Sequence, residues 1–371
     1  MKIGITGQNG FIGWHLSQTI KYIFQDDFQL ISFERDYFLD PDRLDNFVSE
    51  CDVIVHLAGV NRARDEKEIS KINKTLSKKL TESIGRANFK GKLVFSSSSQ
   101  EEKTTNYGIS KKIARETFIT ASNEMGFKFT GLIIPNVFGP FCKPNYNSFI
   151  ATFCDKIINK IEPKIIEDNE VELIYVGTLV EEIIRSFKNP SNQSQRLVPQ
   201  KIIKVSQILQ NLELFYKNYV KKGEIPSLDS AFDVQLFNTF RSYLKHEEKD
   251  AIKHKKNSDH RGNFSEIIRT QSGGQFSYST TQPNRSRGNH FHTRKVERFS
   301  VIQGDALIQL RKIGSKTIYD FILNGEDPSY VDIPVWYTHN VTNIGNEPLI
   351  TLFWINEPFD EKDPDTYFEI V

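Results

Sequence analysis

The chain has 371 residues, 38% hydrophobic and 26% charged, an ordinary globular composition and long for a single core. Lys+Arg 48 against Asp+Glu 47 leaves a net charge of +1, so no global basic surface points to nucleic acid or an anionic membrane. No apolar run is long enough to span a bilayer, Met1-Lys2-Ile3-Gly4 opens a strand rather than a leader, and three widely spaced cysteines make neither a disulfide framework nor a metal knuckle; a reducing, cytoplasmic setting is expected.

In chain order, Lys2–Thr6 reads as a short buried strand running into Gly7-Gln8-Asn9-Gly10-Phe11-Ile12-Gly13 and then into a helix through about Ile23. Glycines at this spacing let the backbone turn tightly. They also let a pyrophosphate approach a helix amino terminus, where free N–H groups favour negative charge. Phe28–Phe33 is a second strand, ending at Glu34-Arg35-Asp36. An acid there takes the ribose hydroxyls of NAD and an arginine takes the 2′-phosphate of NADP. Both are present; the reading leans to Arg35, with Glu34 keeping NADH open. Asp52–Asn61 is a buried strand breaking at Ala58-Gly59, where small residues let the backbone of Leu57, Ala58 and Gly59 lie against a flat cofactor. His56 reads as a packed strand histidine, and Asn73 in the following helix is structural or catalytic.

Gly91–Ser99 is the next strand and ends in four serines, at the carboxyl end where open α/β sheets bind ligands. Tyr107 and Lys111 follow, four residues apart and therefore on one face of the next helix. An ammonium beside a phenol favours the phenolate and makes the tyrosine a usable proton donor and acceptor. Another apolar strand, Phe129–Ile134, leads into Pro135-Asn136-Val137-Phe138-Gly139-Pro140. Alternating strands and helices call for a parallel, doubly wound sheet. Taken together, the glycine motif, His56-Leu57-Ala58-Gly59, the serines, Tyr107-x-x-x-Lys111 and Pro135–Gly139 resemble the extended short-chain dehydrogenase/reductase family.

That resemblance implies a Rossmann-type fold whose cofactor is held by Gly7, Gly10, Phe11, Ile12, Gly13, Arg35 and Leu57 to Gly59. It implies Tyr107 as proton donor, Lys111 as its activator and holder of the nicotinamide ribose, one serine on the substrate oxygen, and Asn73 in support. Only nine positions separate Ser98 from Tyr107, much fewer than the family's usual gap, so the choice among Ser96, Ser97, Ser98 and Ser99 stays open; Ser98 is preferred. The stretch Phe141–Ser148 lies where a substrate diphosphate is held in such enzymes, with Lys143 and Asn136 as candidate contacts.

Helices are expected over Ile208–Lys222 and Phe232–Lys245, and the charged run His246–Lys256 reads as a linker dividing residues 1–248 from 249–371. Beyond it, strand chemistry recurs between turns (Gln275–Thr280, Arg298–Gln303, Ala306–Lys312, Thr317–Leu323, Leu349–Ile355), suggesting an all-β sandwich or barrel. His290 and His292 alternate onto one strand face, and with Glu297 and His339 they offer three nitrogens and one oxygen to an ion. This half resembles the cupin family, with Trp336 where that family has glycine, and Asp259–Phe264 resembles the opening of sugar-nucleotide epimerases of that fold.

The order of the two halves resembles the bifunctional CapF-type enzymes of capsular polysaccharide and O-antigen synthesis. The resemblance implies epimerisation at carbon 3 of a UDP-linked 4-keto-6-deoxy-N-acetylhexosamine by the cupin half, then NADPH-dependent reduction at carbon 4. The product would be UDP-N-acetyl-6-deoxy-L-talosamine, on the route to UDP-N-acetyl-L-fucosamine. A divalent metal is implied, zinc being favoured for a non-redox step, and a homodimer is expected from cupin pairing. The competing reading is a single-activity reductase whose cupin half only binds or dimerises.

Overall fold

The computed structural model describes residues 1–63, 65–189, 192–245, 251–254, 256–259, 262–265, 268–270, 274–357 and 360–371. The chain forms two compact units, one from residues 1–152 and 165–205, the other from residues 153–164 and 206–371.

The first unit is built on β1 (Lys2–Thr6), α1 (Phe11–Ile23), β2 (Gln29–Ile31), α2 (Pro41–Glu50), β3 (Val53–His56), α3 (Glu66–Arg86), β4 (Lys92–Ser98), α4 (Asn106–Met125) and β5 (Lys128–Ile134). After β6 (Asn136–Phe138) come α5 (Phe149–Ile158), whose residues from Phe153 on belong to the second unit, β7 (Glu170–Tyr175), α6 (Val176–Phe187), β8 (Gln193–Arg196) and β9 (Lys201–Lys204). A six-stranded sheet runs β2-β1-β3-β4-β5-β8, parallel at every junction. Successive residues feed opposite cores: Ile54, Leu93 and Phe95 join Phe47, Leu80 and Phe118, while Val53, Val55 and Val94 join Leu16, Leu179 and Ile183. Both faces are covered, which is why these strands are continuous apolar runs. Each such side chain contributes roughly 1.5–3 kcal/mol when fully buried.

Strand order reverses between β1 and β3, opening a crevice at their carboxyl ends. The second strand is shorter than expected, since only Lys2 to Gly4 offer it partners. Phe33 then turns into the core and the chain enters a 3-10 turn, Arg35–Leu39.

In the second unit, two five-stranded sheets pair antiparallel. One holds Ile252–Lys253, Ser329–Ile333, Glu297–Gln303, Leu349–Ile355 and Gln275–Thr281; the other holds Ile318–Asn324, Asp305–Lys312, Tyr337–Asn343, Ser286–Phe291 and Tyr367–Phe368. Val301, Ile308, Leu310, Val331, Ile333 and Val341 fill the core. The helices here are Val205–Phe215, continued by an irregular turn to Val220, and Ala231–Arg241, started by a Ser230/Asp233 capping box. Arg298, 2% exposed, clasps Asp332 through two nitrogens at 2.8 and 3.0 Å, and Arg241 reaches Tyr219 and the Asp332 carbonyl, tying these helices to the strands. Parts of the runs His246–Lys256 and Asp259–Phe264 lie outside the described residues. Among the described residues no helix is long and apolar enough to cross a membrane.

Candidate functional site

The glycine loop joins β1 to α1 at the crevice. A Cβ on Gly13 would come within 2.2 Å of the Gly7 carbonyl oxygen, so glycine there lets the helix start against the strand end. Thr6, buried, touches the His56 ring nitrogen Nδ1 at 2.7 Å and accepts the Ala58 N–H at 3.3 Å, locking the tips of β1 and β3 together. His56 itself is enclosed, and burial pushes its pKa down to about 3, so it packs as a neutral ring.

A cavity of about 730 Å³ opens above these tips, lined by Gly7, Gly10, Leu57, Ala58 and Gly59, with Phe33, Phe38 and Leu76 as apolar wall and Arg35 and Asp36 at its rim. This suits a dinucleotide: bare backbone for phosphates, apolar surface for a flat ring, a guanidinium beyond. Arg43 lies 3.5 Å from Glu34 and 2.7 Å from Asp36, so both acids flanking Arg35 face another cation.

A second cavity, about 650 Å³ and more polar, adjoins the first and is lined by Phe11, Ile12, Arg62, Ser98, Tyr107 and Asn136 among others. Phe11 and Ile12 thus face this cavity and not the first. Of the four serines, Ser98 is the one that lines this cavity together with Tyr107. Ser96 turns to the His56 carbonyl at 3.3 Å, and Ser97 to Glu101 at 2.5 Å. The short loop between Ser98 and Tyr107 is accommodated by Gly108, where a Cβ would come within 2.1 Å of the Gln100 carbonyl oxygen. Helix α4 therefore rests directly on the 3-10 turn Ser99–Glu102.

Burial pushes the Tyr107 phenol up to about 12, against the Ser98 hydrogen bond that pulls it down. Lys111 is buried behind it and brought down to about 8 by that burial; its Nζ donates to the Ser96 carbonyl at 2.8 Å and lies 5.8 Å from the Tyr107 ring centre. The expected depression of the tyrosine by the lysine is not what sets its pKa: desolvation dominates, and the lowering influence comes from Ser98. Asn73 donates to the Val60 carbonyl at 2.8 Å and the Ser110 hydroxyl at 3.0 Å, and accepts the Val60 N–H at 2.8 Å. Both its N–H groups and its oxygen thus go to holding the β3 loop against α4. Lys143 sits on an exposed loop, 5.8 Å from the Tyr146 ring centre, and lines neither cavity.

In the second unit His290, His292, Glu297 and His339 converge, with ligand atoms all within 4.8 Å of one another. A bulge between Gly288 and His290, with Asn289 at φ 56°, brings His290 opposite His339. His292 Nε2 and His339 Nε2 lie 3.2 and 3.1 Å from the Glu297 Oε2, yet none of these three buried atoms has a hydrogen bond. Three orphaned donor atoms pointed at one spot, of types N, N and O, fit a divalent ion. His292 Nδ1 faces the Asp365 carbonyl at 2.5 Å, which sets the tautomer that frees Nε2. Asp365, 1% exposed, is fixed in turn by the Thr293 and Arg294 N–H groups at 3.1 and 3.0 Å. Burial pushes the Glu297 carboxyl up, but the two imidazoles outweigh it and hold it below the usual range; burial takes His290 down to about 4.

Asp365 and Arg62 were not legible as site residues. One acid among several in an acidic tail and an arginine in a loop carry no spacing signal.

Over residues 3–198 the chain matches the NAD dependent epimerase/dehydratase family, and over residues 257–367 the polysaccharide biosynthesis C-terminal domain. It is 33% identical over 371 residues, 99% of this chain and 98% of the relative, to a UDP-2-acetamido-2,6-beta-L-arabino-hexul-4-ose reductase of Pseudomonas aeruginosa. The crystal structure of capsular polysaccharide assembling protein CapF from Staphylococcus aureus is 33% identical, with a TM-score of 0.63 over 100% of both chains. RMD from Pseudomonas aeruginosa, complexed with NADPH, shares the fold of the first unit at 18% identity and a TM-score of 0.53, covering 58% of this chain and 84% of that one.

Proposed function

We propose that this chain, which belongs to the NAD dependent epimerase/dehydratase family, is a bifunctional enzyme that epimerises carbon 3 of a UDP-linked 4-keto-6-deoxy-N-acetylhexosamine and reduces carbon 4, giving UDP-N-acetyl-6-deoxy-L-talosamine. At the coarser level it is an oxidoreductase of nucleotide sugars in polysaccharide biosynthesis. The reading keeps the division into a reductase part, residues 1–248, and a cupin part, residues 249–371. The observation that carries it is the Ser98–Tyr107 hydroxyl pair, backed by Lys111, in a polar cavity adjoining the glycine-lined one.

NADPH, when bound, supplies the hydride to carbon 4. Tyr107 gives its proton to the oxygen on that carbon, Ser98 hydrogen-bonds the same oxygen, and Lys111 holds a positive charge beneath them. At neutral pH Tyr107 is fully protonated, the form an acid for ketone reduction needs. Asn73 holds the floor of the site. Asn136 lines the sugar cavity; Lys143, outside it, would reach the diphosphate only at its edge.

In the other unit His290, His292, Glu297 and His339 would hold a divalent ion, zinc by the chemistry of the step. Such an ion, when bound, supplies Lewis acidity to the sugar carbonyl oxygen. The C3–H proton must leave while carbon 4 is still a ketone, because only then does the adjacent carbonyl take up the charge. Epimerisation therefore precedes reduction.

An NMR time course of the 4-keto sugar in deuterated water tests the whole reading. Solvent deuterium at carbon 3 is expected without NADPH, and a reduced product only with it. Reduction with no exchange would leave a single-activity reductase.

Two further outcomes follow for the reductase half. Arg35→Ala is expected to raise KM for NADPH by about 10–100-fold, the worth of a charge-assisted hydrogen bond, and to leave KM for NADH unchanged; equal effects on both cofactors would remove Arg35 from the 2′-phosphate. The pH profile of reduction should be flat below about pH 8 and fall as pH rises through it, because there Lys111 loses its proton while Tyr107 keeps its own. A profile level to pH 10 would count against a charged Lys111.

A further inference from the structure

The two cavities of the first unit lie end to end along one wall. Gly7 to Gly10 face the apolar cavity and Phe11 and Ile12 the polar one; Leu57 to Val60 face the first, Asn61 and Arg62 the second. Among the described residues one side chain lines both, Tyr146. It stands where a dinucleotide in one cavity and a sugar in the other must meet.

The loop that carries it is held in place. Arg62 donates to the Asn145 carbonyl at 3.0 Å, and the Asn145 N–H donates to the Thr152 hydroxyl at 3.0 Å. Phe141 and Asn145 sit at φ 67° and 55°, a left-handed conformation that costs free energy unless surrounding contacts enforce it. Phe141 is packed edge-on to Trp14, ring centres 5.3 Å apart. The Tyr146 ring is half-buried, and its hydroxyl has no hydrogen-bond partner among the described residues. It lies near enough to Tyr107 to contribute to that phenol's raised pKa.

A free hydroxyl on an enforced loop, at the junction of a cofactor cleft and a polar cavity, is a ready contact for a sugar oxygen. We propose that Tyr146 is a substrate-positioning residue: its hydroxyl hydrogen-bonds the nucleotide sugar at the junction and sets the face and distance at which the ketone meets the hydride. The inference rests on the reductase reading above. Lys143, the candidate diphosphate contact of the same loop, lines neither cavity.

Tyr146→Phe keeps the ring and removes only the contact. A misplacement of the reacting atoms by an ångström costs about 10²-fold, so kcat for the keto sugar should drop by about 10–100-fold. The primary isotope effect with NADPH deuterated at the transferred position should rise, since hydride transfer becomes slower than binding and release. The Kd for NADPH, read by fluorescence titration, should stay within about twofold because the hydroxyl serves the sugar. An unchanged kcat and isotope effect in the variant would overturn the inference, as would a weakened NADPH Kd with kcat intact, which would make the ring a cofactor contact. If the unsubstituted chain oxidises no NADPH with the keto sugar, the reductase reading falls and this inference with it; a working parent beside an indifferent variant removes the inference alone.

Discussion

Tyr107→Phe should lower NADPH oxidation on the keto sugar by about 10²–10⁴-fold, the range that a positioned proton donor contributes. The substitution deletes one oxygen from a ring that otherwise stays packed at the mouth of α4, so the fold and the affinity for NADPH should hold. Deuterium uptake at carbon 3 should also continue, because the histidine cluster belongs to the other unit. The measurement is a paired one: absorbance loss of NADPH in one tube, NMR exchange in another. Full reductase activity in the variant would take Tyr107 out of the mechanism. Loss of both activities would mean the substitution acts on folding, which circular dichroism separates.

His290→Ala should produce the opposite pattern. It removes one of four donors, and the expected loss of metal affinity exceeds the ~10–100-fold that losing a mere supporting partner costs. Metal content by mass spectrometry should fall and exchange at carbon 3 should vanish, while reduction of an already epimerised substrate persists. His290 is the choice because Glu297 and His339 are enclosed, at 5% and 1% exposure, and their removal would also disturb packing. If a metal-free preparation exchanges deuterium at the full rate, the ion is structural and the proton transfer belongs to other groups.

Much of the first unit was legible because its signals are local. The strand-glycine-helix start, the apolar runs of β3, β4 and β5, and the Tyr107–Lys111 spacing each lie within one or two elements. What escaped depends on tertiary contact. Ser98 and Tyr107 line one cavity, and what lets so short a loop join them, a glycine that allows α4 to sit on the Gln100 carbonyl, is invisible in a motif. The direction of the Tyr107 shift cannot be read from the spacing to Lys111, because desolvation sets it. The strand that carries His290 shows in the His-x-His alternation, whereas Tyr337–Asn343 has no such sign of a strand. Its polar residues imitate a turn, yet Thr338, His339, Asn340 and Asn343 are buried. The position of Phe141–Ser148 points to Lys143 as a diphosphate contact, yet Tyr146 of that stretch lines both cavities and Lys143 neither.

The Asp365 clasp on His292 has a consequence for how the protein comes into being. Its partners are separated by 73 residues, so the imidazole is aimed only after a long stretch of chain has been made and folded. Until then the histidines are tethered but unaligned, and a nascent β unit should hold an ion weakly. An ion held by these four residues would report completed folding, and a chelator would then be expected to speed unfolding of this unit more than it slows refolding.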